Sequence, residues 1–439
     1  MVAKLLALLS VASFSPLFNA LPVGEGAGIV YERLPSGARV IVREARWAPL
    51  VVVDFWLDAG SRYDPPGRWG VAHFLEHLLM RAGDGRGGVN FSIESLGGVA
   101  NAATSRDFVH FYALVPSVHF RRALFTMAEA LANFRASPRD IEAERRVILR
   151  EIKAVYEDPL KFALEAAFEV AYRSHPYGHP VEGTPKSLSL ITSDVLRRFH
   201  RERYVAGGVC LVVVGDVDPE EALSVAREAL RAFPQGSPPK GPPTLVGWPQ
   251  KPQRLSFRLP VDRARVLLAL PAPPVSRFDE VCAIDLALVL LSKGDVGRLR
   301  RALLSPGLAD SVGADFLTRR DPGLFCVYAV CAPGEVERVA RIMALELERL
   351  GREGPSEEEL RVAKGLLSGM FLMDTEGMVG MAGNLGFYET LASHKLALSY
   401  VERVMALGVE EVTSSVRRYL DPRRAVVVEI LPRAEEGGL

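Results

Sequence analysis

The chain has 439 residues, 49% of them hydrophobic, with 53 Lys plus Arg balanced by 53 Asp plus Glu, which is enough for two domains of roughly 200 residues each. The balanced charge, with no run of one sign, excludes an electrostatic case for nucleic acid or an anionic membrane surface and leaves peptides as the expected partners. No segment reaches the ~20 apolar residues of a transmembrane helix, so no integral membrane segment is expected.

In chain order, Lys4 followed by the apolar run Leu5 to Phe14 resembles the charged and apolar regions of a signal peptide and points to export to the periplasm or cell envelope. No small-x-small cleavage site follows, and a cytoplasmic enzyme with a frayed apolar N-terminus is the alternative. Val51 to Leu57 reads as a strand. Next comes His73-Phe74-Leu75-Glu76-His77, inside Val71 to Arg81, which no Pro or Gly interrupts and whose Val71, Phe74, Leu75, Leu78 and Leu79 form an apolar stripe. At 3.6 residues per turn, His73, Glu76 and His77 project into about a 100° arc. Two imidazoles and a carboxylate on one helix face propose a zinc site with its own base. A catalytic zinc normally takes three protein ligands and leaves one position for water, so a third ligand must lie elsewhere.

His110 to Val115 reads as a strand and Phe120 to Asn133 as a helix. Ser137-Pro138-Arg139-Asp140 has the form of a helix start, and the helix runs to about Asp158-Pro159. Along it Ile141, Glu144, Ile148, Glu151 and Val155 recur at three- and four-residue steps, which embeds two carboxylates in the core-facing stripe. An unpaired buried carboxylate costs several kcal/mol. Zinc is one partner that would offset this, and an Arg on a neighbouring element, such as Arg106 or Arg121, is the other.

Val209 to Val214 reads as a strand, after which Phe233 to Pro243 is too rich in Pro and Gly for a helix or a central strand and reads as an interdomain linker. The run Leu324 to Ala332 reads as a strand, and Glu335 to Leu350 and Glu357 to Leu372 as helices. Cys210, Cys282, Cys326 and Cys331 are scattered and read as core thiols. Val195 to Asp216 (helix, Arg-Tyr, apolar strand) is echoed by Val416 to Leu431, a sign of duplication. The expected organisation is 1–25 signal-like or flexible, 26–233 an N-terminal zinc-binding domain, 234–251 linker, 252–434 a homologous C-terminal domain, and 435–439 a tail. Strands and helices mix without regular βαβ alternation, which argues for an α+β fold in which each domain is a largely antiparallel sheet with helices packed on one face.

The helical His-x-x-Glu-His followed some seventy residues later by Glu-x6-Glu resembles the inverted zinc motif of the pitrilysin (insulinase) family of peptidases, in its bacterial processing-peptidase-like subfamily. Three further stretches carry the resemblance. Gly97 to Asp107 is similar to the family's substrate-binding edge strand, His175 to Thr184 to the segment after the ligand helices, and Val212 to Asp218 to the strand closing the first domain. The resemblance implies two such domains in a clam-like pair and one Zn2+ per chain. It further implies His73, His77 and Glu151 as the metal ligands, Glu76 as the base, Glu144 as a carboxylate orienting a ligand histidine, and Ala100, Asn101, Ala102, Ala103 and Thr104 as the strand that takes an extended peptide by strand addition.

Gly297 to Val312 resembles the family segment that ends in Gly-Leu-Ala-Tyr with an Arg seven residues before the Tyr, but here the two positions hold Asp310 and Leu303. The missing Arg and Tyr would bind the substrate carbonyl and stabilise the oxyanion. Some relatives divide the two halves of the site between two chains, so the resemblance implies a heterodimer in which this chain is the zinc-bearing subunit and a homologue supplies the Arg and Tyr. Zinc-dependent endopeptidase is the expected activity, and a non-catalytic or weakly active zinc- and peptide-binding subunit is the alternative.

Overall fold

Val51, Val53, Phe55 and Leu57 of one strand, Val109, Phe111, Ala113 and Val115 of a second, and Val209, Leu211 and Val213 of a third alternate into one buried core, the period-2 signature of strands with one face inward. The computed structural model describes residues 28–81, 88–241, 247–249 and 251–433. The signal-like stretch, the C-terminal tail and part of the 234–251 stretch lie outside these residues. The strands are β1 (Ile29–Arg33), β2 (Arg39–Glu44), β3 (Leu50–Leu57), β4 (Val99–Thr104), β5 (Val109–Pro116), β6 (Val209–Gly215), β7 (Gln253–Leu259), β8 (Ala264–Ala272), β9 (Ser311–Phe316), β10 (Gly323–Cys331) and β11 (Val426–Pro432).

Among the described residues two sheets form, ordered β1-β2-β6-β3-β5-β4 and β7-β11-β8-β10-β9. All neighbours are antiparallel except β2 with β6 and β7 with β11. The last five strands of the first sheet repeat the connectivity of the second, and in each the closing strand follows a helix ending in Arg-Tyr or at Tyr: Ser193–Arg203 before β6 and Val409–Tyr419 before β11. The fold is therefore α+β with two homologous halves, as expected.

The chain divides into two compact units that are not contiguous in sequence. One is Met1–Ile152 with Val181–Pro242 and Leu372–Ser399; the other is Lys153–Pro180 with Pro243–Phe371 and Tyr400–Leu439. The 26–233 and 252–434 division is thus crossed by two exchanged segments. In the first unit, helices Val71–Arg81, Phe120–Ala132 and Pro219–Ala229 cover one sheet face, and the exchanged helix Met378–Leu391 packs against β3 and β6 on the other. Phe387 meets Trp56 edge-on at 6.5 Å, and a Cβ at Gly386 would lie 2.1 Å from the Trp56 indole nitrogen, so only Gly fits there. In the second unit, helices Val336–Glu353 and Val409–Tyr419 pack on β8. The exchanged helix Pro159–Ala171 contacts β11 and β8, burying Ala163, Ala167 and Phe168 with Leu267, Val426 and Val428. The exchanged helix in each unit thus adds cover on the second face of its sheet.

The described start of the Pro-rich stretch is tied to the first unit. Ala206 N donates to Pro234 O at 2.9 Å, Gly207 N to Gly236 O at 2.8 Å, and the Arg203 guanidinium to Pro239 O at 2.9 Å. All four cysteines are buried thiols outside any disulfide. Among the described residues no helix is long and apolar enough to cross a membrane.

Candidate functional site

Helix Val71–Arg81 turns its apolar stripe into the first core, with Val71, Phe74, Leu75 and Leu78 at 0–1% exposure, and its N-terminus is held by a cap from outside the helix. Asp64 accepts from Gly70 N at 2.6 Å and from Ala72 N at 2.9 Å, satisfying N–H groups that a helix start leaves open. Gly70 has φ +93°, and a Cβ there would come within 2.6 Å of Glu182 O; a Cβ added at Gly183, φ +77°, would lie 2.2 Å from Trp69 O. The end of the His175–Thr184 stretch is thereby locked against the motif helix.

Asp64 is buried, and burial pushes its carboxyl up to about 8 against the backbone N–H groups that pull it down. The folded chain keeps a proton that an ordinary Asp releases near 3.8. The stability contributed by that proton is full below about pH 4 and declines as pH rises toward 8. Wild type should lose stability relative to Asp64→Asn across that window in denaturant titrations, and parallel stability curves would contradict this.

The second helix, Pro138–Glu157, begins as its sequence implies: Ser137 N donates to an Asp140 carboxylate oxygen at 2.9 Å, and Asp140 N to Ser137 Oγ at 3.2 Å. It buries Ile141, Ile148 and Ile152. Arg145 clamps it, donating to Leu188 O and to Ile191 O (2.9 Å for the latter), with its guanidinium 5.4 Å from the Phe74 ring centre.

Between the two helices His73, His77 and Glu151 each offer one ligand atom, and these three atoms lie within 4.8 Å of one another. Glu151 Oε2 is 3.2 Å from His77 Nε2 and 3.8 Å from His73 Nε2. Ligands about 2.0–2.1 Å from a tetrahedral zinc sit about 3.3–3.4 Å apart, so the donor set fits that ion in type, with the Glu151–His77 spacing close to this value and the Glu151–His73 spacing wider. Glu76 Oε2 is 4.0 Å from His73 Nε2, outside the ligand trio but beside it. Glu144 Oε2 is 3.2 Å from His77 Nδ1, the ring nitrogen away from Glu151, and 3.8 Å from Arg81. An Arg neighbour therefore exists for Glu144, but it is Arg81 rather than either suggested residue, and Arg121 pairs instead with Glu228 at 2.7 Å. His73 Nδ1 is buried with no hydrogen-bond partner among the described residues.

The electrostatics favour a neutral His73. Burial and the neighbouring His77 push it down to about 3, against Glu151. Burial also pulls His77 down, but the Glu151 hydrogen bond and the charges of Glu76 and Glu151 outweigh it and hold His77 above its ordinary value. Burial raises Glu76 against the pull of His77 and Thr104. Glu151 ends below the usual carboxylate range because His77 and His73 overcome its burial.

Among the described residues β4 is the terminal strand of its sheet, paired only with β5, and it ends at Thr104. Ala100 and Ala102 pack against the first core, while Asn101 is exposed and accepts from Ala102 N at 2.9 Å. Thr104 Oγ1 donates to Glu76 Oε2 at 3.0 Å, a contact that sequence spacing does not reveal. In the second unit Leu303 is wholly buried, Asp310 is held by Arg263 at 2.6 and 2.7 Å, and Arg301 is bound to Glu359 at 2.7 Å.

The family model described as Insulinase (Peptidase family M16) matches residues 39–185, and that described as Peptidase M16 inactive domain matches residues 190–367. An uncharacterized zinc protease of Mycobacterium leprae is 29% identical over 411 residues, 92% of each chain. One of Bacillus subtilis is 23% identical over 388 residues, covering 87% of this chain and 93% of that one. Among solved structures, a protease from Helicobacter pylori superposes with TM-score 0.86 at 21% identity, covering 92% of this chain and 99% of its own. A peptidase M16 inactive domain from Pseudomonas fluorescens superposes with TM-score 0.81 at 23% identity, covering 93% and 100%. Both structures share the fold.

Proposed function

Given that the chain belongs to the insulinase-type M16 family of peptidases, we propose that it is a zinc-dependent endopeptidase acting on extended peptides or unfolded segments. One observation carries the reading: His73, His77 and Glu151 converge within 4.8 Å with Glu76 beside them and outside the trio. These three residues would hold one Zn2+ per chain, whose chemistry when bound is to acidify a water and polarise the scissile carbonyl. Glu76 takes the proton of the attacking water and returns it to the leaving amine. Glu144, at His77 Nδ1, fixes the orientation of that ring. The peptide adds to the open edge of β4 along Ala100 to Thr104, main chain to main chain, which gives affinity with little sequence selectivity.

The buried Leu303 and the Arg263-bound Asp310 support a division of labour, with a homologous subunit bringing the Arg and Tyr that this chain lacks. They equally favour a second reading, a weakly active zinc- and peptide-binding subunit of a heteromeric complex. Metal removal tests the enzyme reading. A chelator is expected to abolish cleavage of a quenched peptide by the assembled protein, and stoichiometric zinc to restore it; cleavage that persists after zinc has been stripped would refute it.

A further inference from the structure

We infer that Thr104 is a positioning residue that sets the carboxylate of Glu76 relative to the peptide-docking strand; the inference rests on the proposed role of Glu76 as the base. An ionised carboxylate can only accept, so the Thr104 hydroxyl is the donor in the 3.0 Å contact to Glu76 Oε2. The donor is stiff, because a β-branched side chain on a strand has restricted χ1 freedom. Thr104 is also the last residue of β4, paired with Val109 of β5, and its side chain falls on the same face as Ala100 and Ala102.

A single segment supports both partners of this hydrogen bond. Ser61 N donates to Ser105 O at 3.0 Å and Arg62 N to Arg106 O at 2.9 Å, while the Arg62 guanidinium reaches the Asp107 carboxylate at 2.8 Å with both side chains buried. A Cβ on the preceding Gly60 would lie 2.3 Å from Phe108 N, so this backbone approach tolerates nothing larger. Two residues after Arg62, Asp64 caps the helix that carries Glu76. Residues 60–64 therefore bracket the turn that follows Thr104 and the start of the base's helix together. Within that bracket the Thr104 hydroxyl is the direct link between the strand that would align the peptide backbone and the group that would deprotonate the water.

The test compares Thr104→Val, which removes the donor at nearly constant shape, with Thr104→Ser, which keeps it, alongside wild type and Glu76→Gln, all as full chains loaded with zinc and with the partner subunit if one is needed. A hydrogen bond to a charged group corresponds to about a 10- to 100-fold change in rate. Thr104→Val is expected to lower kcat by that factor with KM changed by less than about threefold, Thr104→Ser to recover most of kcat, and every variant to keep wild-type zinc content. Wild-type kcat in Thr104→Val, equal loss in Thr104→Ser, or a rise in KM alone would overturn the inference. Should wild type fail to cleave peptides, the proposed function fails by itself, and the pair is still tested by thermal unfolding of Thr104→Val, Glu76→Ala and the double variant. Non-additive Tm shifts are expected there, and additive shifts would overturn the inference.

Discussion

Glu76→Gln should reduce peptide cleavage by on the order of 10²–10⁴-fold, the range for losing a general acid-base group, while leaving bound zinc unchanged. The substitution keeps the shape of the side chain and an oxygen that can still accept from Thr104 Oγ1, so the local packing survives. What it removes is the ability to take a proton. Because Glu76 stands beside the His73, His77 and Glu151 trio rather than in it, metal affinity has no reason to fall. Metal analysis of the variant, paired with a quenched-peptide assay, separates the two quantities, and near-normal turnover by Glu76→Gln would remove the assigned role.

The second large effect concerns the partner. A co-encoded homologue bearing the Arg and Tyr but no His-x-x-Glu-His is expected to raise turnover by roughly 30- to 700-fold, the rate equivalent of about 2–4 kcal/mol of oxyanion stabilisation. The chain's own second unit has nothing to offer at the corresponding positions, since Leu303 is buried and Asp310 is engaged by Arg263. Arg301, one neighbouring candidate, is bound to Glu359. Cleavage by the purified chain alone at the rate seen with the homologue would rule out the split site.

Much of the site's framework is legible in the sequence because it is local. Helix Val71–Arg81 announces itself by an uninterrupted apolar stripe, helix Pro138–Glu157 by its Ser137 to Asp140 start, and β3, β5 and β6 by dense runs of β-branched and aromatic residues. The exchanged helices are harder to read. Met378–Leu391 is buried nearly all the way round, so its sequence lacks the one-sided stripe that identifies a surface helix. Asp158-Pro159 reads as the end of the ligand helix, yet Asp158 accepts from Leu160 N and Lys161 N and starts Pro159–Ala171, the helix given to the second unit. The partners of the ionisable groups escape for a different reason. Asp64 with Gly70 and Ala72, and Thr104 with Glu76, are contacts between elements, fixed by how the helices and β4 pack rather than by any period along the chain.

Zinc stoichiometry measured on the purified chain and on His73→Ala and Glu151→Gln tests the central assignment most directly. Wild type is expected to bind about one zinc per chain, as in catalytic sites with three protein ligands, and each ligand variant to retain almost none. A wild-type chain that takes up no zinc, or a His73→Ala chain that keeps the wild-type amount, would contradict the assignment of His73, His77 and Glu151 as the metal site.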